Sequence, residues 1–477
     1  MSRSKWTARS LLLAGTFLCG CTVGVDYSRP DFAVPAHYYQ SRSLATVEAA
    51  SEAWWEGMND PVLNRLVQLG LSQNLDLLAA RERLKGAEAV LRGTGKPQQV
   101  SGGFDASSTF QRQESADNST RSDNASLDAS YVFDLFGEFK RRSERAVADR
   151  DAQFYSMTTT RLAILDAITT TYIEARFFQR GAAVTRKTIS LREQILQLVQ
   201  ELQEAQAALA LDVERTKLQV VSAKADLPSF IANYEASVYA LATLLDRDAS
   251  EIFTAMQSGY GQPAPATQPE LGVPAALLRN RPDVLLAEAQ LRSATAGIGV
   301  AEAELYPSLQ ISGSVQAGRS TPNLYSIGPA LNVPVFNLPV LRSFRDRAVA
   351  DAKAAEFDYR AAVRTGVEQV QTRQSSLRAA RDRAAAQARA VSLGTKVADL
   401  ARETFRASEI TLFDLLSTEE ALRDNELNLI SARRDLAISW SRLNVALGKG
   451  WARYQSPAAA VQAGTAAAAG TPAGTGG

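Results

Sequence analysis

The segment LDASYVFDLFGEFKRRSERAVAD, residues 127–149, changes its hydrophobic period partway along its length. Apolar side chains alternate with polar ones from Leu127 to Phe133, which is typical of a β-strand with one apolar and one polar face. A helical period then takes over, and no proline occurs from Phe139 to Leu227. At about 1.5 Å per residue, such a run predicts a helix on the order of 100 Å long, which is far longer than helices in compact globular domains.

The strand within this segment has a partner upstream. From Val100 to Ala106 the residues alternate in the same way, with Gly102 and Phe104 on the apolar face. A polar segment, DNSTRSDN at 117–124, separates the two runs and is predicted to be a turn. The pattern indicates an antiparallel hairpin with two unlike faces.

The long helical region has a predicted coiled-coil seam with steps of four and three residues. Its apolar positions are Leu191, Ile195, Leu198, Leu202, Ala205 and Leu209. The pattern is interrupted after Leu209 and helical character resumes up to Leu245. We therefore expect a hairpin of two long helices that turns near Asp212.

The second half of the chain repeats this order. Residues 281–307 form a predicted helix that resembles residues 74–93, with Asp283 lying 207 positions after Asp76. A strand pair follows, its strands separated by the turn GRSTPN, and then a second proline-free helical region from Leu341 to Leu447. RAVAD occurs at 145–149 and at 347–351, and this displacement of 202 also relates Leu211-Asp212 to Phe413-Asp414. A register kept across about a hundred residues is what a tandem duplication predicts.

The N-terminus has the order of an export signal. Arg3, Lys5 and Arg9 precede a short apolar run from Leu11 to Leu18. The following Leu18-Cys19-Gly20-Cys21 resembles a bacterial lipobox, which implies that Cys21 is lipidated with a diacylglycerol thioether and an N-acyl chain. Thr22 is not aspartate, so the inner-membrane retention signal is absent and the outer membrane is the expected destination. An ordinary cleaved signal peptide with incidental cysteines is the alternative.

Trp54 and Trp55 stand shortly before the first predicted helix, and we interpret the pair as a packing anchor. Asp60 and Pro61 introduce that helix. Its predicted apolar positions are Leu63, Leu66, Val67, Leu71, Leu75 and Leu78.

Composition disfavours several classes of function. The 52 basic and 51 acidic residues leave a net charge of +1, which gives no reason to expect nucleic-acid binding. A mean hydropathy of -0.15, without an apolar run near 20 residues, argues against membrane-spanning helices. A single histidine, His37, and two cysteines offer little for a metal site or for catalysis. GTGKP at 93–97 has Pro97 where a phosphate loop needs Ser or Thr. We therefore expect no enzymatic activity, no metal and no cofactor.

Four strands per chain are too few to close a membrane barrel, which needs about eight. An open two-faced sheet would leave unpaired edges in lipid. Several chains would then pool their strands, and three chains would supply twelve. A soluble sheet packed on the helices remains the alternative at this point.

The chain resembles the outer membrane efflux lipoproteins of the OprM and NodT type, which are relatives of TolC. The resemblance extends to Trp451 and rests on motifs in a fixed order: CTVGVDYSRP (21–30), the tryptophan pair with Asp60-Pro61, RPDVLLAE (281–288), IGVAEAELYPSL (298–309), GPALNVPVF (328–336) and ALGKGW (446–451). It implies a homotrimer with a twelve-stranded outer membrane barrel, a long α-helical coiled-coil barrel in the periplasm and an equatorial belt of short helices. It also implies a passive duct that docks to a periplasmic adaptor and an inner membrane efflux transporter of the RND class.

The resemblance also implies a gate at the periplasmic tips of the helical hairpins. Phe413, Asp414 and Ser417 are the expected constriction residues, with Ser417 where TolC-like channels place a second aspartate. The expected adaptor contacts are Leu211, Asp212, Ser408 and Leu412. Gln206 and Ser408 stand where the family usually has glycine. A helix-capping role for Asp212 and Asp414 is the alternative to gating.

The predicted organisation has six parts: a signal peptide (1–20), an N-terminal segment (21–53), a first repeat (54–260), a linker (261–270), a second repeat (271–451) and a disordered low-complexity tail (452–477). The rival interpretation is a periplasmic adaptor or a coiled-coil scaffold lipoprotein. An adaptor would have one helical hairpin inserted into a β-rich domain, whereas this sequence predicts two hairpins, each preceded by a strand pair.

Overall fold

A computed structural model describes residues 22–31, 53–113, 118–258, 261–265, 280–319, 322–407 and 409–451. The signal peptide, Cys21, His37, Ser408, most of the linker and the tail lie outside these residues. Eight α-helices and four β-strands, apart from short 3₁₀ turns, make up the described regular structure: α1 (Pro61–Gln73), α2 (Leu75–Gly93), β1 (Val100–Gln113), β2 (Asn118–Phe133), α3 (Glu138–Glu204), α4 (Ala210–Leu245), α5 (Ala249–Gln257), α6 (Pro282–Ala303), β3 (Ser308–Gly318), β4 (Leu324–Asn332), α7 (Leu338–Arg406) and α8 (Leu412–Ala446).

The four strands form one antiparallel sheet in the order β1-β2-β3-β4. This arrangement confirms the two predicted hairpins and adds the β2-β3 pairing that joins them. The predicted turn at 117–124 is wrong, because β2 already begins at Asn118. At this end of β2 the side chains on both faces are polar, and such a run of polar residues resembles a turn signal.

The structure confirms the long helices that the proline-free runs predict. α3 has 67 residues and α7 has 69, and they return through α4 and α8 with 36 and 35 residues. The first turn occupies residues 205–209, just before Asp212. None of the helices in the described parts of the chain is apolar over enough of its length to cross a membrane.

Corresponding helices of the two halves begin at the displacements found in the sequence. α6 begins 207 positions after α2, and α8 begins 202 positions after α4. The change occurs between these elements, in a region that contains the strands.

The predicted continuous helix from Pro61 to Leu78 is wrong. α1 ends at Gln73, and Asn74 starts a second helix by accepting a hydrogen bond from the Leu77 amide (3.1 Å). The buried Asn74 amide also donates to the Leu244 carbonyl at 2.9 Å. This contact with a distant helix holds the break between α1 and α2 in place, and hydrophobic periodicity alone does not reveal it. Leu75, a predicted apolar position, lies just after the break and is 60% exposed.

The predicted seam on α3 is also partly wrong. Ile195 is buried as expected, but Leu198 and Leu209 are exposed within the chain, and Val199 and Arg192 are buried instead. The buried stripe therefore follows positions 192, 195 and 199. Arg192 was missed because an arginine does not count as apolar in a periodicity argument.

Residue contacts group the chain into two compact units. The first comprises 1–33, 81–156 and 283–362 and contains the sheet. The second comprises 34–80, 157–282 and 363–477 and contains the two helical turns. Each unit takes segments from both halves of the sequence.

A buried polar chain anchors the second unit. Asp60 caps α1 by accepting from the amides of Val62 and Leu63 (3.0 and 3.2 Å). Its other oxygen accepts from the Tyr172 hydroxyl at 2.7 Å, and that hydroxyl accepts from Arg176 at 2.9 Å. The tryptophan pair is buried in the same unit, where Trp54 contacts the ring of Trp440, which confirms its packing role.

Candidate functional site at the sheet and the helical tips

The sheet carries one apolar face built from aligned rows. Val100, Tyr131 and Ile311 form one row, and a second row contains Phe104, Leu127, Val315 and Tyr325. These side chains remain open to the surroundings, from 37% exposed at Ile311 to 84% at Tyr325. Because residues along a strand alternate between faces, every member of each row points to the same side.

The opposite face is polar. One row consists of Ser101, Ser130 and Ser312, and the next contains Asp128, Ser314 and Ser326. Hydroxyl pairs hold the strands together across this face, with 2.7 Å between the oxygens of Ser101 and Ser130 and 2.8 Å between those of Ser314 and Ser326. Water can contact this polar face without a free-energy penalty, whereas contact between water and the apolar face is unfavourable.

The edges of the sheet are unpaired among the described residues, since β1 pairs only with β2 and β4 only with β3. Each edge therefore presents a row of backbone groups that can pair with another strand. The sheet is open on both sides and two-faced, which is the arrangement expected of a barrel segment.

At the first tip, α3 ends in a Schellman motif. The Ala207 amide donates to the Leu202 carbonyl (2.7 Å), and the Gln206 amide donates to the Gln203 carbonyl (2.9 Å). Gln206 has φ = 58°, a left-handed conformation that favours glycine. This geometry explains why glycine is usual at the position, and the glutamine is tolerated at some conformational cost.

The second tip begins with a complete capping box. The Thr411 hydroxyl donates to the Asp414 carboxylate at 2.6 Å, the Thr411 amide donates to the same oxygen at 3.1 Å, and the Asp414 amide donates to Thr411 Oγ1 at 3.2 Å. These hydrogen bonds from Thr411 lower the pKa of the exposed Asp414 carboxyl below its usual value. Thr411 is therefore the N-cap of α8, and the ionised Asp414 completes the capping box from the first turn. Ser417 lies one turn further on and donates to the Asp414 carbonyl.

Asp212 has the corresponding position in α4, where its carboxylate accepts from the Leu209 amide at 3.4 Å. The longer contact and the absence of a threonine hydroxyl make this cap weaker than the Thr411–Asp414 cap. The capping alternative is thus satisfied at both tips, with the Asp414 side chain exposed and the Asp212 side chain partly exposed.

The structure brings the two tips together through a small apolar cluster of Ile195, Val199, Val213 and Leu416. Leu412 packs against this cluster, so it points toward the chain's own core. Phe413 and Leu211 point away, with 69% and 53% of their surface exposed. Of these predicted tip residues, Leu412 is packed within the chain, whereas Phe413 and Leu211 are exposed.

Sequence reasoning missed the ion pairs behind the tips. Arg402 of α7 binds both carboxylate oxygens of Glu419 on α8, at 2.6 and 3.0 Å. The Glu419 side chain is only 7% exposed, and its hydrogen bonds to Arg402 raise the pKa of the guanidinium. A charged residue in the apolar register of α8 was the signal that could have revealed this pair.

A second set of charges links the two hairpins. Arg192 donates to the Gln219 carbonyl at 2.8 Å and lies 3.9 Å from Glu420. Arg423 forms an ion pair with Asp226 of the other hairpin. Burial lowers the pKa of Arg192, which shows that its charge is held in a poorly solvated place.

Residues 22–31 are strapped onto the first unit. Thr22 contacts Gly137, just after β2, and Arg141 donates to the carbonyls of Val23 and Gly24 (3.1 and 3.2 Å). An added Cβ at Gly24 would lie 2.5 Å from the Cα of Gly299 in α6, and one at Gly299 would lie 2.7 Å from the Arg141 side chain, so a side chain at either glycine would clash. Residues 22–31, which we call the strap, therefore start beside the end of the sheet where β2 leads into α3. We call this end the foot of the sheet, and it is next to the predicted lipidation site.

The described residues contain no group of three or more His, Cys, Asp or Glu side chains placed to hold a metal ion. The site consists of the two faces of the sheet, the two helical tips and the ion pairs behind them. This geometry fits the conduction of solutes and the docking of a partner protein.

The chain is similar to known proteins over most of its length. Over residues 66–247 and 273–449 the chain matches the outer membrane efflux protein family. Nodulation protein T of Rhizobium leguminosarum bv. trifolii is 31% identical over 448 residues, covering 91% of this chain and 95% of that protein. The probable efflux pump outer membrane protein TtgC of Pseudomonas putida is 26% identical over 475 residues, covering 93% of this chain and 95% of TtgC. The outer-membrane channel OprN has a solved structure with a TM-score of 0.80 and 28% identity, covering 90% of this chain and 100% of the OprN chain. With its family match and its relatives extending over nearly all of its length, the chain belongs to the outer membrane efflux proteins.

Proposed function

We propose that this outer membrane efflux protein is the passive exit duct of a tripartite pump. It would conduct small molecules from a periplasmic adaptor and an inner membrane transporter of the RND class to the outside. The observation that carries the proposal is the open sheet with one apolar face, one polar face and two edges that no described strand pairs. Such a sheet can lie in a bilayer only as part of a closed barrel.

The duct is a homotrimer in this proposal. Three copies pool twelve strands, place the Leu127 row against lipid and line a wet lumen with the Ser101 row. α8 begins 202 positions after α4, which is the displacement that also relates the two copies of RAVAD, and this supports a tandem duplication. The duplication gives two hairpins per chain and six per trimer.

The chain is anchored by acyl chains on Cys21. The strap supports this assignment, because Thr22 lies against Gly137 and Gly137 follows the end of β2. The lipid would then enter the same membrane that contains the foot of the sheet. Each buried CH2 of the chains would contribute about 0.8 kcal/mol to anchoring.

The tips are the docking ends for the adaptor. Leu211 and Asp212 on the first hairpin, and Ser408 and Leu412 on the second, are the proposed contact positions. The exposure of Leu211 supports a contact role. Leu412 would act through the packed cluster beneath it, since its side chain is turned inward.

Phe413, Asp414 and Ser417 form the gate in this proposal. A threefold axis near α8 would bring three Asp414 carboxylates and three Phe413 rings together, which favours cations and narrows the opening. Within one chain, hydrogen bonding from Thr411 lowers the pKa of Asp414. Three such carboxylates close together would repel one another and favour protonation, so the conductance should be sensitive to pH.

The gate is tested by the conductance of trimers in planar bilayers. Asp414→Ala should raise the conductance because it removes both the charge ring and the cap. Thr411→Ala is the control, since it weakens the cap and keeps the carboxylate. Unchanged conductance in Asp414→Ala would remove this residue from the gate, and an equal rise in both variants would assign the effect to the cap.

Cell fractionation tests the function as a whole. We expect a heat-labile trimer in the outer membrane fraction, and a soluble monomer in the periplasmic extract would overturn the proposal. The adaptor alternative has little support, because two strand pairs precede two helical hairpins and the pairs join into a single sheet.

A further inference from the structure

The charged residues of the sheet are divided between its two faces. The four strands contain five of them, namely Asp105, Arg112, Arg121, Asp123 and Asp128. The register places Asp105 and Asp128 in the polar rows, whereas the other three belong to the apolar face. The charges on the polar face of the strands are thus acidic, and both basic residues of the strands lie on the apolar face.

The charges on the apolar face are gathered at the end of the sheet that lies farthest from its foot. Asp123 accepts hydrogen bonds from the Ser108 hydroxyl of β1 (2.6 Å) and from Arg121 Nε (3.0 Å). Arg319 directly follows β3, its amide donates to the Asp123 carbonyl at 3.0 Å, and its charge attracts that of Asp123. Three arginines and one aspartate therefore share this end, and we call Arg112, Arg121 and Arg319 the arginine rim.

The three arginines of the rim lie on neighbouring strands within reach of one another. Arg112 is opposite Ser119 in the register and Arg319 adjoins Asp123, so Arg121 is diagonal to both arginines. Diagonal neighbours in an antiparallel sheet are about 7–8 Å apart, a distance that long side chains can span. All three side chains are exposed within the chain, and Arg121 is 65% exposed despite its ion pair with Asp123. Two guanidinium groups can therefore meet at a single anion.

The rim lies just above the apolar rows. Asp123 and Arg121 are 10 and 12 residues from Phe133 at the foot, which is about 34 and 41 Å along a strand. A tilt of about 40° reduces these lengths to roughly 26 and 31 Å, whereas the apolar band of a membrane barrel is about 25 Å tall. The arginines are therefore at the height where lipid headgroups begin.

The neighbour of Arg121 on β1 also marks this height. Phe110 is opposite Arg121 in the register and is 67% exposed on the same face. Membrane barrels carry aromatic residues at both boundaries of the apolar band. The Phe110 ring therefore supports a boundary at the rim by a criterion that does not depend on counting residues.

We propose that the arginine rim binds the phosphate groups of lipid in the outer leaflet of the membrane. The inference rests on the proposed barrel and adds to it a lipid partner and the residues that bind this lipid. A surface at this height and on this face meets lipid headgroups, whose phosphates are anionic. Guanidinium groups bind phosphate oxygens through paired, charge-assisted hydrogen bonds. Among the described residues one aspartate faces three arginines, so the rim keeps an excess of positive charge.

Equilibrium binding to full-length trimers in a neutral detergent tests the proposal. The probe is bisphosphorylated lipid A, the phosphorylated glycolipid of bacterial outer leaflets, and it is compared with the same lipid after dephosphorylation. We expect the dephosphorylated lipid to bind about tenfold more weakly or worse, because it loses the charge-assisted hydrogen bonds. High salt should weaken the binding of the phosphorylated form, because it screens exposed charges.

A double variant and two controls assign the binding to the rim. Arg121→Gln with Arg319→Gln removes two positive charges, each of which contributes about fivefold near an anionic lipid surface, so the affinity should fall roughly 25-fold. Arg121→Lys with Arg319→Lys keeps both charges and should retain most of the affinity. Arg347→Gln with Arg360→Gln changes the net charge equally at exposed positions of α7, outside the sheet, and should leave the affinity unchanged.

The outcomes separate this proposal from that of the duct. A trimer that binds both lipid forms equally, or whose glutamine variant at the rim binds as tightly as the unmodified protein, would overturn the lipid site and leave the duct intact. An equal loss in the α7 variant would also overturn it, since net charge alone would then attract the lipid. Displacement of the lipid by an equal concentration of inorganic phosphate would indicate a site for a free anion and overturn it as well.

Two further results cover the state of assembly. If the glutamine variant at the rim forms no heat-labile trimer, the comparison of the two lipid forms on the unmodified trimer decides, together with the lysine variant. An unmodified protein that forms no trimer in the outer membrane would overturn both the duct and the lipid site.

Discussion

The strongest prediction concerns Leu127, which lies in the middle row of the apolar face and is 55% exposed within the chain. Leu127 is six residues from the end of β2 at Phe133, which is about 20 Å along a strand. A tilt of about 40° reduces this to roughly 15 Å of depth, near the middle of an apolar band about 25 Å tall. We expect Leu127→Lys to cost about 2–4 kcal/mol per chain, because lysine at mid-depth on the lipid face must leave water.

The adjacent Ser126 provides a matched control on the opposite face. Ser126→Lys places the same charge at the same depth but toward the polar side, so its cost should stay below about 1 kcal/mol. The assay is guanidine unfolding of trimers in lipid vesicles, supported by the yield of heat-labile trimer in outer membranes. Equal effects of the two variants would refute the assignment of faces, and full stability of Leu127→Lys would indicate that the face does not meet lipid.

Further variants test the tips. Gln206→Gly should stabilise the first tip by about 1 kcal/mol, because glycine adopts the left-handed conformation without the steric cost of a side chain, and slower amide hydrogen exchange around residue 206 would confirm it. Thr411→Ala should weaken the second cap by about 1 kcal/mol, measured in the same way. Since the pKa of Asp414 is lowered on folding, the stabilisation from its carboxylate should be complete above pH 3.8 and be lost as the pH falls through the lowered value, so exchange of the neighbouring amides should accelerate in acid. Arg402→Ala should lower the free energy of unfolding by about 3 kcal/mol, because it leaves the Glu419 carboxylate unpaired where little water reaches. Limited proteolysis of the second hairpin should then become faster. An additional Glu419→Met should recover part of the lost stability, and no recovery would contradict the argument.

Much of the fold could be predicted from local patterns. The alternation around Phe104 and Leu127 predicted which residues share a face, because a strand has a period of two regardless of its neighbours. The proline-free runs predicted the long helices, because a helix continues until its pattern is broken. The displacement of 202 predicted that Leu211-Asp212 corresponds to Phe413-Asp414, and the returning helices α4 and α8 do begin 202 positions apart.

The candidate site was predicted less completely. Asp414 was identified, with a capping role as an alternative to gating, but its partner Thr411 was not, since a capping box depends on the turn that precedes the helix. The Arg402–Glu419 pair was missed because the two residues belong to different helices. Only packing brings such groups within hydrogen-bond distance.

The sequence by itself determined the faces of the strands, the presence of the long helices and the repeat that relates the two halves. These are properties of a single period or a single register, and they need no contact between distant residues. The tertiary structure decided where helices break and which stripe is buried. Asn74 ends a helix because its side chain reaches the Leu244 carbonyl, and Val199 is buried in place of Leu198 because the second hairpin covers that side of α3. In each case the deciding free energy comes from a neighbour distant in sequence, which no local pattern contains.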